Sequence, residues 1–107
     1  MAIIGIDLGT TNSLVSYWTE NGAVIIPNSL GQNLTPSVVS IDDNGDVLVG
    51  QIAKEMQIAH PEMCASVFKR NMGTKKKYVL GTKEFIPEEL SAIVLKALKE
   101  DAEHFLG

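Results

Sequence analysis

Two apolar, β-prone runs open the chain, Ile3 to Ile6 and Leu14 to Trp18, with only a short connection between them. Runs joined by so few residues predict an antiparallel hairpin, so the N-terminal segment belongs to a sheet. The connection itself is unusual. Asp7 closes the first strand, and Gly9-Thr10-Thr11-Asn12-Ser13 makes the turn. Gly9 lets backbone approach a ligand with no side chain in the way. The amides around Thr10, Thr11 and Asn12 can converge on an anion, as backbone nests do, and the threonine hydroxyls add donors. Asp7 is placed to hold a hydrated Mg²⁺, which takes one or two carboxylates together with phosphate. Two readings stand side by side here: a nucleotide phosphate loop, or an ordinary glycine hairpin with an aspartate at its edge. Motifs this short match by chance too often for spacing to choose.

Downstream of the hairpin, Glu20-Asn21-Gly22 supplies a second turn and Ala23 to Ile26 a third strand. Both positions of Asn-Gly tolerate positive φ, so residues 3–26 predict a three-stranded meander. Residues 27–34 form a polar loop, Ser37 to Ile41 a further strand, and Asp42 to Asp46 a reversal into Val47 to Val49. The acidic cluster in that reversal is not an EF-hand loop. Its twelfth position, counted from Asp42, is Ala53 rather than glutamate. Residues 51–59 predict a short helix with Ile52, Met56 and Ala59 on one face, ended by Pro61. Met56 and Met63 read as core fillers. His60 and His104 read as structural or solvated, since no ligand pair accompanies them. Lys75-Lys76-Lys77 reads as a solvated run, with a small hairpin around Gly81 after it.

The last segment carries the clearest helical signal. Pro87 suits a first helical position, and Glu88 and Glu89 suit the positive end of the helix dipole. Leu90, Ile93, Val94, Ala97, Leu98, Ala102 and Phe105 recur at intervals of three and four, an apolar stripe that must pack on something. Gly107 suits a C-terminal cap.

Composition narrows the function classes. A chain of 107 residues with 45% hydrophobic content is the size of one domain with a packed core. A net charge of −4 argues against a nucleic-acid or membrane-surface module. Cys64, the one cysteine, fits a reducing compartment, and the opening Met1-Ala2-Ile3 lacks the basic stretch of a secretory leader. The expected location is cytoplasmic.

The run Gly5-Ile6-Asp7-Leu8-Gly9-Thr10-Thr11-Asn12-Ser13 closely resembles the first phosphate loop of the DnaK-type, 70-kDa heat-shock chaperones, members of the actin and sugar-kinase ATPase superfamily. Leu34-Thr35-Pro36-Ser37-Val38-Val39, Val49-Gly50-Gln51-Ile52-Ala53 and Phe68-Lys69-Arg70 resemble the same family in order and spacing. The segment from Leu90 to Gly107 is similar to its next helix. The resemblance implies an α/β fold: a partial ribonuclease-H-like, actin-like ATPase lobe. Residues 1–36 and 87–107 would form the main subdomain and 37–86 an inserted one, with the rest of the ATPase and the peptide-binding domain lying outside this chain. Between Gly73 and Pro87 the chain is much shorter than ordinary members, which resembles the compact HscC-like branch and puts any exchange-factor contact in doubt.

Carried over residue by residue, the resemblance implies that Gly9, Thr10, Thr11 and Asn12 bind the phosphates of ATP or ADP. Asp7 would hold Mg²⁺ through water, with a potassium ion nearby. Lys69 resembles the lysine that orients the attacking water, and Arg70 a residue coupling nucleotide state to the rest of the chaperone. The parent would be an ATPase cycling unfolded polypeptide clients with a J-domain co-chaperone. The chain alone is expected to be inactive. Roughly four charge-assisted hydrogen bonds at about 1.5–3 kcal/mol each barely offset an association cost of about 4–15 kcal/mol. The competing readings are a sugar or acyl kinase of the same superfamily, and a non-catalytic fragment that self-associates through an exposed sheet edge.

Overall fold

In the computed structural model, which describes residues 3–107, the opening hairpin pairs β1 (Ile4–Leu8) with β2 (Asn12–Thr19), with Asp7 opposite Leu14 and Leu8 opposite Ser13. The expected subdomain start at residues 1 and 2 lies outside the described residues. The Asn-Gly turn then brings β3 (Gly22–Ile26) against β2, with Gly22 at φ 110°, where glycine alone is comfortable. A two-residue strand, β4 (Thr35–Pro36), pairs with the start of β2 beside the turn. A second antiparallel sheet has the order β6 (Val47–Val49), β5 (Val39–Ile41), β7 (Cys64–Ala65), and β8 (Tyr78–Leu80) and β9 (Lys83–Phe85) form a separate hairpin.

Two expectations are corrected. The strand predicted from Ser37 begins only at Val39, because the Ser37 amide is spent on the Thr11 carbonyl and the Val38 carbonyl accepts Gly50 N–H instead. The predicted face of α1 (Gln51–Ala59) is also wrong: Ile52 is 53% exposed and Ala59 is exposed, whereas Ala53 is fully buried. The helix lies against β5, β6 and β7, and a methyl group at the contact lets the backbones approach closely. One position away from Ala53, about 100° around the helix, Ile52 points to solvent. Met63 packs on the core as expected.

Helix α2 (Pro87–Leu106) closes the structure. Its buried stripe, Leu90, Val94, Leu98 and Ala102, joins one core with Val15 and Ile26 of the meander and Val39, Ile41 and Ala65 of the second sheet. One apolar core therefore spans both sheets. Glu89 accepts the Ile86 N–H at 2.9 Å at the start, and Gly107, at φ 88°, donates its N–H to the Glu103 carbonyl at the end. Phe105, 48% exposed, packs its ring 6.0 Å from that of Tyr17. The Asp42 carboxylate accepts the Asn44 and Asp46 amides, an ordinary turn tip. The lysine run is solvated, with Lys77 3.4 Å from Glu84 across the β8–β9 hairpin. Among the described residues no helix is long and apolar enough to cross a membrane.

Candidate functional site: the turn between β1 and β2

The β1–β2 register carries Asp7 to the last turns of the ladder, where its side chain is exposed, and leaves Gly9, Thr10 and Thr11 as the reversal. Gly9 is required here by close approach: a Cβ at that position would overlap the Asn12 carbonyl oxygen. Asn12 opens β2 opposite Pro36, so its exposed side chain sits where β4 meets the turn. A cleft of about 380 Å³ opens there, lined by Asn12, Asn33, Pro36, Gln51 and Lys54 among others. The sequence pointed to neither Gln51 nor Lys54 as neighbours of the turn.

Ser37 ties this arrangement together from behind. Its hydroxyl donates to the Gly9 carbonyl at 2.9 Å, lies 2.8 Å from the Ser13 hydroxyl, and its amide donates to the Thr11 carbonyl at 2.9 Å. Both serines are buried. Sequence reasoning used Thr35-Pro36-Ser37 only as a family mark. The available signal was a hydroxyl residue directly after proline in an otherwise apolar stretch, since buried hydroxyls must find partners.

Lys69 and Arg70 lie on a 3-10 turn, Phe68–Asn71, and both are exposed. No hydrogen bond or ion pair among the described residues links them to the β1–β2 turn, so their place comes from their neighbours. Phe68 is 2% exposed and packs edge-on against Tyr78 at 6.5 Å, and Asn71 donates to the Tyr78 hydroxyl at 2.7 Å. Val67, immediately before, adopts the left-handed conformation at φ 48°, ψ 26°. That is a rare setting for a β-branched residue.

The donor set bears on which ions the turn can take. No group of three or more His, Cys, Asp or Glu among the described residues is arranged to hold a metal. Asp7 stands as a single carboxylate beside backbone donors, which suits a hydrated Mg²⁺ shared with phosphate rather than an all-protein cage. Cys64 opens β7 and is half-buried. Burial, reinforced by the Glu62 carboxylate and only partly opposed by Ser40, pushes its thiol above the usual range.

An antiparallel meander, a second small sheet and a long closing helix fit a partial actin-like ATPase lobe. The comparisons with known proteins agree. The family model described as Hsp70 protein matches residues 3–81, and the chain belongs to the Hsp70 family. It is 47% identical over 106 residues to proteins named Chaperone protein DnaK from Thermotoga neapolitana, Thermotoga petrophila and Thermotoga maritima. Each match covers 98% of this chain and 18% of the relative. The chain thus spans under a fifth of the length of those relatives.

Proposed function

We propose that this chain supplies the first phosphate loop of an ATP-driven chaperone. In that reading Gly9, Thr10, Thr11 and Asn12 receive the phosphates of ATP or ADP, and Asp7 holds Mg²⁺ through water with a potassium ion nearby. Lys69 orients the attacking water and offsets charge on the transferring phosphoryl group, since such transfer is mostly positioning and electrostatic stabilisation. Arg70 couples nucleotide state to the rest of the protein. The observation that carries the reading is the turn itself, where close-packed Gly9 and the Ser37 bonds hold the carbonyls inward beside an exposed Asp7.

Full activity belongs to the longer protein: ATP hydrolysis driving binding and release of unfolded polypeptides in the cytoplasm, with a J-domain co-chaperone. The short β8–β9 hairpin between Gly73 and Pro87 supports the compact HscC-like branch, which leaves the exchange-factor contact without support. Separate sheets in residues 3–36 and 37–86 support the division into a main and an inserted subdomain. The 107-residue chain alone binds nucleotide at millimolar strength or more weakly and does not turn it over. Exposed Val24 and Ile25 on β3, whose outer edge is unpaired among the described strands, favour self-association at high concentration.

The test is a titration of assigned amide resonances with Mg·ATP, comparing the chain with an Asp7→Ala variant. Saturable shifts confined to Gly9 through Ser13, weakened in the variant, are expected if the half-site forms unaided. Shifts centred on another part of the surface would sink the phosphate-loop reading. Phosphate release above background, abolished by Lys69→Ala, would overturn the claim that the chain alone is inactive.

A further inference from the structure

We infer that Ser37 is a positioning residue for the phosphate loop: a buried relay, Ser13 hydroxyl to Ser37 hydroxyl to Gly9 carbonyl, aims the loop's amides outward. The inference rests on the phosphate-loop reading above for its functional meaning, although the relay itself is a matter of geometry.

Donor accounting gives the relay its direction. A serine hydroxyl has one hydrogen, and a carbonyl can only accept. Ser37 is the only possible donor in its 2.9 Å contact with the Gly9 carbonyl, so its hydrogen is spent there. The 2.8 Å contact between the Ser13 and Ser37 hydroxyls must then be donated by Ser13. Ser13 is 1% exposed and Ser37 3%, so water does not compete for either group. A chain of hydroxyls in such surroundings polarises each successive bond in one sense.

Peptide planarity turns this into an effect on the loop. No cis peptide occurs among the described residues. In a trans peptide the N–H points opposite to the C=O of the same plane. Holding the Gly9 carbonyl against Ser37 therefore directs the Thr10 N–H away from Ser37. The Ser37 amide, 2.9 Å from the Thr11 carbonyl, does the same for the Asn12 N–H. One residue thus pins two alternate planes, those ending in Thr10 and Asn12. The proton donated to the Gly9 carbonyl also makes the Thr10 N–H a better donor, through polarisation of its own peptide group. A ligand rich in anionic oxygen, as the phosphates of a nucleotide are, meets donors whose orientation is already set.

The plain alternative is a buried serine pair that serves stability alone, and matched substitutions separate the two. Ser13→Ala and Ser37→Ala each remove one partner of the same buried pair, so both lower stability. Only Ser37→Ala releases the Gly9 carbonyl. With Ser37→Ala, the Thr10 amide resonance should move in the nucleotide-free chain while that of Asn12, whose plane is held by the backbone N–H of residue 37, moves less. The Mg·ATP response should weaken about tenfold, equivalent to ~1.4 kcal/mol. With Ser13→Ala, both amides should stay near their wild-type positions despite the lower stability. Equal displacement by both variants, or none by either, overturns the relay. Should Ser37→Ala not fold, the wild-type hydroxyl protons decide. A slowly exchanging Ser37 hydroxyl with a cross-peak to Gly9 supports the relay, and a slowly exchanging Ser13 hydroxyl without it refutes the relay. A wild-type chain that ignores Mg·ATP but shows the variant difference would keep the relay and discard the isolated half-site.

Discussion

Val67 offers a direct measurement of strain beside a proposed catalytic lysine. It sits at φ 48°, ψ 26°, two residues before Lys69, and its side chain is 40% exposed. The left-handed conformation costs an L-residue about 1–2 kcal/mol. Glycine escapes that cost, but ordering its freer backbone costs about 0.5–1 kcal/mol more than ordering alanine. Val67→Ala and Val67→Gly both discard the partly buried branched side chain, so that loss nearly cancels between them. Val67→Gly should therefore be the more stable by about 0.5–1 kcal/mol, reversing the usual order of the two residues. For a chain of this size the difference amounts to about 2–6 °C in Tm. Urea denaturation of the two variants side by side, checked for equal slopes, reads it directly. If Val67→Ala equals or exceeds Val67→Gly, the strain argument is refuted. The strained turn buries Phe68 while leaving Lys69 exposed, so relaxing it should also loosen the lysine.

Two further outcomes follow from burial and charge. Leu98, 1% exposed at the centre of α2, should cost about 2–5 kcal/mol as Leu98→Ala, a large share of the total stability of a domain this small. Leu95→Ala, at a position 44% exposed on the same helix, is the control and should change the denaturation midpoint little; comparable losses would mean α2 does not seat on its observed face. At Asp101, burial, with repulsion from Glu100 and a smaller opposing pull from His104, raises the carboxyl above its usual value of 3.8. A raised folded-state value means the protonated form favours folding, and that stability is lost as pH rises from the ordinary carboxylate range through the raised one. Asp101→Asn should thus melt higher than the wild type at neutral pH and converge with it in acid. A variant that melts lower at neutral pH would contradict this.

Much of the fold was legible because local rules and tertiary packing agree. The meander follows from two short turns, one of them Asn-Gly, and α2 from Pro87, the acidic first turn, a stripe at three and four, and Gly107. Where several apolar residues compete for one face, local pattern was a poor guide. In α1 the larger Ile52 suggested the buried side, yet it is Ala53 that is buried where the helix lies against β5, β6 and β7. Two-residue strands such as β4 and β7 carry no periodicity to read, and exist only because a neighbouring strand offers its edge.

By itself the sequence determined which residues make the turn and what chemistry they offer: Asp7, a glycine that leaves backbone open to a ligand, and a run of hydroxyl and amide donors. It also determined family membership, which rests on motifs in order along the chain. Only the tertiary structure decided how those donors are aimed. Orientation of a peptide plane depends on what binds its carbonyl. That partner, Ser37, is 28 residues from Gly9 in sequence and reaches it through the packing of β4 against β2. A linear pattern names donors, but the direction of a hydrogen bond is set by groups brought together in space.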